Sequence, residues 1–433
     1  MTKFNYKLIS YIVGLLLIFN ATAILLTTYV SYIQNDGFFT NILSSSIVCF
    51  VVGLLIMFFS KGPSKVINRR DGYLIVIVGW LTMIISGTLP YIFTDTINNV
   101  PDLIFETMSG YTTTGSTIIS DVESLPKSII FWRSMTHWLG GMGIIVLAIA
   151  ILPLLGIGGM QLFSAEAPGS GISGDKIHPR ISNTAKRLWL IYIFLTLLET
   201  LLLKFAGMSF FDAINHAMSN IATGGFSTKN DSLSFWNSMP LVQYIIIFFM
   251  ILAGTNFLLI YLSLIGKFKK LFFNTEFIWY LGSICFFVVI TALILNSSID
   301  LNASNFKHPQ VLGQLESSFR HALFQVVAII TTTGFVSGDF AGWSPFLTML
   351  FFALMFFGAS SGSTSGGIKI SRHLILLKNG FLEFKRSLHP NAVIPLRYNH
   401  SVVKKEVVVN ILAFFMLYLI CLLYTSPSPR DRG

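Results

Sequence analysis

The chain has 433 residues, of which 53% are hydrophobic and only 11% are charged, and its formal net charge is +10. This composition, with 40 Phe and a mean hydropathy of +0.72, excludes an ordinary soluble domain and predicts an all-α polytopic membrane protein. The basic residues are spread through short loops, which argues against the single positive patch of a nucleic-acid-binding protein.

Apolar runs follow one another along the chain, and most are long enough to cross a bilayer, which takes about 20 residues. They lie near residues 8–33, 41–60, 73–94, 129–155, 188–206, 240–265, 277–296, 345–359 and 402–423. The run at 345–359 is short and ends in glycines, so we expect a broken helix there.

The first apolar run raises the question of a cleaved signal peptide. It follows Lys3 and Lys7 and contains Ala21-Thr22-Ala23, which resembles a cleavage site. The apolar stretch continues past this point through ILLTTYV, however, and is longer than a normal signal-peptide core. We therefore predict a retained helix with the N-terminus in the cytoplasm.

Basic loops orient the predicted helices, because Lys and Arg concentrate on the cytoplasmic side of a membrane. These residues cluster at 61–70, 176–187, 267–270 and 369–386. The other loops carry mainly acids, among them Asp95, Asp121 and Asp231. We expect a multi-pass protein of the cell (inner) membrane in which residues 95–128 leave and re-enter on the outer side.

One short pattern occurs three times, as DLIFETMSGYTTTGST at 102, FDAINHAMSNIATGGFST at 211 and FRHALFQVVAIITTTGF at 319. Its Thr-Gly pairs end at Gly115, Gly224 and Gly334, so the repeating unit is about 110 residues long. Each unit predicts a spanning helix, a short apolar segment, Thr-Gly and a second spanning helix. A polar residue lies nine positions before each glycine and an apolar one ten before: Glu106, Asn215 and Gln325, and Phe105, Ile214 and Phe324.

Irregular backbone at membrane depth is tolerated only where it lines a wet cavity or is buried in protein. An extended Thr-Gly segment can point its carbonyl oxygens at a pore axis, where they replace the hydration shell of a monovalent cation. Glycine supplies the backbone freedom that this conformation requires. The preceding short helix directs its partly negative C-terminal end toward the cavity. The three segments are therefore predicted to form a cation site.

These repeats resemble those of the Trk/Ktr/HKT potassium transporters, and in particular of the bacterial Trk-type uptake subunits. The strings that carry the resemblance are HWLGGMGIIVLAIAILPLLGIGGMQLFSAEAPG at 137–169, TAKRLWLIYIFLTLLET at 184, NIATGGFSTKN at 220 and GASSGSTSGGIKISR at 358. The resemblance covers nearly all of residues 1–423. It implies potassium uptake through a channel-like pore built from tandem helix–pore loop–helix repeats.

The resemblance also implies the domain organisation. Residues 1–72 would form a two-helix hairpin, 73–160, 161–270 and 271–380 three pore repeats, and 381–423 the start of a fourth. A fourth Thr-Gly pair would fall at roughly residue 444, and the last residues, YTSPSPRDRG at 424–433, are expected to be a non-native tail. We expect this chain alone to be inactive, and the chain continued through a fourth pore loop to take up potassium.

Backbone carbonyls would hold the potassium ion in a pore of this family. The implied ligands are Thr113, Thr114, Ala222, Thr223, Thr332 and Thr333, and the glycines that shape the filter are Gly115, Gly224 and Gly334. Ala222 departs from the Thr-Thr pattern of the other two loops. Because its contribution would be a backbone carbonyl, the different side chain does not change the predicted ligand.

A Gly- and Ser-rich segment at 358–369 follows the third filter glycine too closely to be another filter. In the family, this segment is an intramembrane loop that interrupts the second helix of the third repeat and gates the cavity. The implied gate residues are Gly358, Ser361, Gly362, Ser363, Thr364, Ser365, Gly366, Gly367 and Lys369. The alternative is a helix end followed by a cytoplasmic linker. Lys369 and Arg372 would then mark the cytosolic boundary instead of the inner mouth.

Several residues that often carry chemistry are not expected to do so here. The cysteines lie in apolar runs without ligand spacing, so we expect them to fill the core, neither in disulfides nor on a metal: Cys49, Cys285 and Cys421. Three histidines in or near membrane segments are expected to be hydrogen-bonded helix residues: His137, His216 and His321. The segment GSGISG at 169–174 matches a dinucleotide-binding motif, but no strand precedes it. No catalytic constellation is found, and we expect no enzyme activity.

Two other functions stay open, an ion-coupled symporter driven by H⁺ or Na⁺, and a pore-dead membrane sensor or scaffold. A symporter is typically built from inverted repeats with acids at the midplane. Here the repeats run parallel, and the acids Glu106 and Glu199 lie in a pore-helix position and near a helix end.

Partners follow from the resemblance. It implies a homodimer and a cytosolic nucleotide-binding regulatory ring of the TrkA type. The basic segment GKFKK at 266–270 could bind that ring or anionic membrane lipid.

Overall fold

A computed structural model describes residues 4–60, 69–151, 181–298, 301, 308–389, 391–392, 394–399 and 401–425, and these are mostly helical. Helices α1 (Tyr6–Gln34) and α2 (Phe39–Phe59) form an N-terminal hairpin. They pack closely where glycines face each other, because a methyl group added at Gly14 would lie 2.8 Å from the carbonyl oxygen of Gly53. Small residues allow such close approach between membrane helices.

Three units of similar construction follow the hairpin. The first contains α3 (Arg69–Gly87), α4 (Leu89–Phe93), α5 (Val100–Tyr111) and α6 (Lys127–Ile151). The second contains α7 (Ile181–Phe205), α8 (Phe210–Ile221), α9 (Pro240–Ala253) and α10 (Phe257–Leu264), and a short α11 (Phe268–Phe272) leads out of it. The third contains α12 (Thr275–Ser298), α13 (Gln314–Ile330), α14 (Pro345–Leu354) and α15 (Ile370–Leu388). Helix α16 (Lys405–Thr425) is the last described element.

Two pairs of very short strands complete the described structure. Strands β1 (Phe357–Gly358) and β2 (Ile368–Lys369) pair in parallel and close the segment between α14 and α15. Strands β3 (Arg397–Tyr398) and β4 (Ser401–Val402) form an antiparallel hairpin between α15 and α16.

The described residues include six helical segments long and apolar enough to span a membrane. The pair α9 and α10 would supply a seventh, but the two helices are bent by 105°. The apolar run at 240–265 therefore forms two helices, and not the single second spanning helix that the repeat pattern predicts for this unit. The side chain of Asn256 accepts from the backbone N–H of Leu258 and starts α10 as a separate helix. The predicted break near 345–359 is confirmed, since α14 ends at Leu354.

The core is divided among the units, and its largest apolar cluster lies around α13. Phe324 on this helix is fully buried together with Ile246 of α9, Tyr280 of α12 and Phe351 of α14. Helix α13 is thus packed among α9, α12 and α14. This packing positions the loop that follows it.

Only one of the three cysteines fills the core as predicted. Cys49 is buried, whereas Cys285 on α12 and Cys421 on α16 are exposed, and none of the three is in a disulfide in the described structure. The prediction is wrong for the latter two because the outer face of a membrane helix is as apolar as its packed face. Hydropathy cannot distinguish the two faces.

Candidate functional site

The three short helices α5, α8 and α13 end in loops with the same backbone conformation. The second residue past each helix is a threonine with left-handed φ, Thr113, Thr223 and Thr332, with φ of 53°, 54° and 55°. A glycine with positive φ follows two positions later, at Gly115, Gly225 and Gly334. A left-handed conformation is unfavourable for a β-branched residue and marks a constrained, functionally interesting backbone.

Backbone hydrogen bonds give the register of the three loops. The N–H groups of Thr114, Gly224 and Thr333 donate to carbonyls five residues earlier, at 3.0, 2.9 and 2.9 Å. The counterpart of Gly115 and Gly334 is therefore Gly225, and Gly224 corresponds to Thr114. The sequence repeats align on Thr223-Gly224, and this alignment is one residue out of register with the backbone. The segment TGG contains two adjacent glycines, and the second of them is the equivalent one. The matching residue nine positions earlier is His216, not Asn215.

The three loops lie side by side in chain order. A methyl group added at Gly115 would lie 1.9 Å from the carbonyl oxygen of Gly224, and one at Gly225 would lie 2.2 Å from that of Thr333. These contacts allow no side chain at either glycine. Among the described residues, nothing lies within 4 Å of the corresponding point at Gly334. The middle loop is accordingly the most enclosed, and the residues from Ala222 to Gly224 are all buried.

The three histidines in or near the membrane segments are hydrogen-bonded, as the sequence predicts. His137 contacts Ser219, His216 contacts the Asp212 carbonyl and Ser227, and His321 contacts His308 and Ser337, all at 2.8–3.1 Å. His137 connects α6 to α8. His216 and His321 each connect their own helix to the segment that follows its loop.

The Gly- and Ser-rich segment 358–369 is called here the intramembrane loop, after the family segment it is expected to match. It contacts two of the three loops that follow α5, α8 and α13, which are called here the filter loops after their expected role. The Thr364 hydroxyl donates to the carbonyls of Ile221 and Ala253, at 2.9 and 3.3 Å. The N–H of Gly366 donates to the Thr332 hydroxyl at 2.6 Å. The intramembrane loop is therefore adjacent to the second and third filter loops.

The same loop fills the bend between α9 and α10. The Asn256 side chain donates to the Ser361 carbonyl at 2.7 Å, and the Phe257 N–H donates to the Gly362 carbonyl at 3.1 Å. The Ser360 N–H donates to the Gly254 carbonyl at 3.0 Å. The bend that the sequence did not predict is thus a binding surface for this loop.

A third set of contacts leads from the intramembrane loop to the β3–β4 hairpin. The Glu276 carboxylate accepts from the Ser361 N–H at 2.6 Å and from the Tyr398 hydroxyl at 3.2 Å. The Asn399 side chain also accepts from the Thr275 N–H at 3.0 Å. One buried carboxylate therefore connects the loop to the hairpin.

The two basic residues after the glycines turn in different directions. The Lys369 ammonium donates to the carbonyl and the hydroxyl of Ser365 and so folds back onto the intramembrane loop. The guanidinium of Arg372 lies 3.8 Å from the ring centroid of Phe414 on α16. Arg372 is buried, so it does not mark an exposed cytosolic boundary.

Comparisons with known proteins agree with this architecture. A family model described as a cation transport protein, TrkH, matches residues 39–428. The Trk system potassium uptake protein TrkH of Salmonella typhimurium is 38% identical over 416 residues, which are 96% of this chain and 83% of that protein. TrkG of Escherichia coli K12, of the same Trk system, is 34% identical over 375 residues, covering 86% and 74% of the two chains. The crystal structure of the potassium transporter TrkH from Vibrio parahaemolyticus matches with a TM-score of 0.84 at 33% identity, covering 96% of this chain and 85% of that one.

Proposed function

Because the chain belongs to the TrkH family of cation transport proteins, we propose that it conducts potassium toward the cytoplasm through a filter formed by its pore loops. The observation that carries this proposal is the matched left-handed backbone of three loops in direct contact. Such loops can present rows of carbonyl oxygens that replace the hydration shell of potassium. The ion is the transported substrate, bound on its way through the filter.

The proposed ligands follow the register of the backbone. The first and third loops would contribute the carbonyls of Thr113, Thr114, Thr332 and Thr333, as expected from the family. For the second loop we propose Thr223 and Gly224 in place of Ala222 and Thr223. The Ala222 carbonyl already accepts a hydrogen bond from the Thr223 hydroxyl at 2.7 Å, which supports this change.

We propose that the intramembrane loop is a gate below the filter. Its burial argues against a solvated linker, since Ser360, Ser361 and Thr364 are each at most 2% exposed. Positive φ values at Gly362 and Gly367 give the loop two positions that glycine adopts readily. A glycine-rich loop held by a limited set of side chains can leave its position when those contacts break.

The proposed assembly has the features that the family implies. The three units would be tandem pore repeats at 73–160, 161–270 and 271–380, after a hairpin at 1–72 and before the start of a fourth at 381–423. We propose a homodimer in the inner membrane, with a cytoplasmic N-terminus and a cytosolic nucleotide-binding ring of the TrkA type. The basic segment at 266–270 would face that ring or anionic lipid headgroups.

Rubidium uptake in cells that lack their own potassium transporters tests the proposed function. Two chains should be compared: residues 1–433, and the same chain continued through a fourth pore loop and a final helix. We expect the continued chain to take up rubidium in preference to sodium, and we call whichever form does so the uptake-competent chain. Absence of uptake by both forms, with both present in the membrane, would support a sensor or scaffold instead. Uptake that follows an imposed proton or sodium gradient would support a symporter.

A further inference from the structure

A buried ion pair lies behind the first filter loop and has no part in the mechanism proposed above. The Nε atom of Arg133 on α6 lies 2.9 Å from an oxygen of Glu106 on α5, and both side chains are at most 2% exposed. An ion pair at such depth is costly to desolvate unless further hydrogen bonds satisfy it. The remaining contacts of the two residues therefore show what the pair is used for.

The other hydrogen bonds of Glu106 all come from the segment that leaves the first filter loop. The Thr117 hydroxyl lies 3.0 Å from both carboxylate oxygens, and the Ile118 N–H donates to one of them at 3.1 Å. Arg133 reaches the same segment, since its Nη2 atom lies 3.0 Å from the Thr117 hydroxyl. The pair therefore fixes the two residues that follow Gly115 and Ser116.

Arg133 also contacts the second filter loop. Its guanidinium carbon lies 4.1 Å from the ring centroid of Phe226, the residue directly after Gly225. The ring of His137, one turn further along α6, stacks on the same Phe226 ring with centroids 3.9 Å apart. A cation over a buried aromatic ring is attractive and orients the ring. Arg133 thus connects the first two loops, whose backbones are already in contact at Gly115 and Gly224.

The equivalent positions in the other repeats show what is special about the first. In the second repeat, Nε2 of His216 lies 3.0 Å from the Ser227 hydroxyl, which repeats the Glu106–Thr117 contact without a charge. In the third repeat the pair is Gln325 and Val336, and the Gln325 side-chain oxygen has no hydrogen-bond partner among the described residues. The side-chain contact from this position is therefore charged in the first repeat, neutral in the second and missing in the third among the described residues.

We propose that Glu106, Arg133 and Phe226 form a positioning network that fixes the first and second filter loops relative to each other and thereby determines potassium selectivity. The inference rests on the proposed function, because it assumes that these loops carry the ion. Selectivity depends on the number, spacing and freedom of the coordinating carbonyls. Loops that are free to approach each other can contract around a smaller cation, whereas loops held by a charged network cannot.

The test uses variants of the uptake-competent chain and compares rubidium uptake with sodium uptake. Thr117→Val removes the hydroxyl that Glu106 and Arg133 share, and it is isosteric at an exposed position, so the variant should fold. Glu106→Gln keeps the shape but removes the charge. We expect the rubidium-to-sodium ratio to fall about threefold in Thr117→Val and about tenfold in Glu106→Gln. Phe226→Leu should lower it about threefold through loss of the cation–π contact.

Two controls separate positioning from general stability. Gln325→Leu changes the equivalent residue of the third repeat, which lacks the loop contact, and should leave the ratio unchanged. Glu106→Gln leaves Arg133 as an unpaired buried charge, which could prevent folding. In that case the double variant Glu106→Gln with Arg133→Met removes both charges. It should restore the amount of folded protein, while the rubidium-to-sodium ratio stays low.

The outcomes distinguish this inference from the proposed function. The parent of these variants is the uptake-competent chain, which already takes up rubidium. An unchanged rubidium-to-sodium ratio in Thr117→Val and in the double variant would therefore overturn the positioning network without affecting the filter proposal. An equal loss of ratio in Gln325→Leu would also overturn it, since the effect would not be specific to the charged repeat.

Discussion

The loops proposed to form the filter and the intramembrane loop are all irregular segments, but they are held in different ways. Each filter loop takes its conformation from its own short helix, through backbone hydrogen bonds that span five residues, such as Thr114 to Ser109. The intramembrane loop depends on distant groups: the side chains of Asn256, Glu276 and Thr332, and the backbone of Gly254 and Phe257. The first kind of loop is specified locally, whereas the second is specified by tertiary structure.

This difference has a consequence for motion. A loop held by its neighbouring backbone changes conformation only if its helix end unravels, which gives a rigid element. A loop held by separate tertiary contacts can be released by breaking a few of them, as in segments that open locally. The division suits a pore in which the filter must stay fixed and the gate must move.

The largest effect is expected from a side chain at the contact between filter loops. Gly225→Ala would bring its methyl group to 2.2 Å from the Thr333 carbonyl oxygen, at a φ of 84° that disfavours any side chain. We expect selective rubidium uptake by the uptake-competent chain to fall about 100-fold. Gly115→Ser, at the first contact, should behave in the same way.

Gly224→Ala is the matched control for the register. Its methyl group would lie 2.3 Å from the His137 ring, a side chain instead of backbone, and Gly224 does not have positive φ. We expect a smaller loss that is partly restored by adding His137→Ala. If Gly224→Ala keeps most of the selectivity that Gly225→Ala loses, Gly225 is the filter glycine. If Gly224→Ala loses more selectivity than Gly225→Ala, the alignment on the Thr223-Gly224 pair is favoured instead.

The next effect concerns the intramembrane loop as a barrier. Deleting part of residues 360–366 should raise basal uptake several-fold and loosen its dependence on the regulatory ring, because the loop would no longer reach the filter. Flux with and without the ring, compared at equal protein level, measures this. Normal and fully regulated flux after the deletion would identify the segment as a linker.

How much of this could be predicted from the sequence depends on the kind of contact. The short helices and their Thr-Gly ends have a local pattern, and they lie where the repeats predict them. The register at TGG and the bend at Asn256 were missed, because the first depends on helix-end hydrogen bonds and the second on contacts with the intramembrane loop. The ion-pair partner Arg133 was also missed. A charged residue in an otherwise apolar run was the signal that could have identified it.

A smaller effect is expected at the contact between the intramembrane loop and the β3–β4 hairpin. Tyr398→Phe removes the hydroxyl that donates to Glu276, the carboxylate that also accepts from the Ser361 N–H. We expect basal uptake to rise about two- to threefold, as for loss of one buried hydrogen bond that favours the closed loop. Glu383→Gln, at an exposed ion pair on α15, is the control and should leave flux unchanged. Equal flux in Tyr398→Phe and the parent would show that the β3–β4 hairpin does not stabilise the closed position of the intramembrane loop.

The smallest expected effect comes from the segment between α12 and α13, where His308 packs against the end of the third filter loop. His308 contacts His321 on α13 at 3.0 Å and lies against Gly338, where a methyl group would be 2.1 Å from its ring.

Burial, with a smaller contribution from the Arg320 charge, lowers the pKa of His308 to about 4 from its ordinary value of 6.5. In the unfolded chain His308 binds a proton below pH 6.5, whereas in the folded protein it stays neutral until about pH 4. Its contribution to stability is therefore present above pH 6.5 and is lost as the pH falls toward 4. We expect the melting temperature of the purified protein to fall by a few degrees over this range, and less steeply in His308→Asn. Identical slopes in the two proteins would show that this contact does not stabilise the protein in a pH-dependent way.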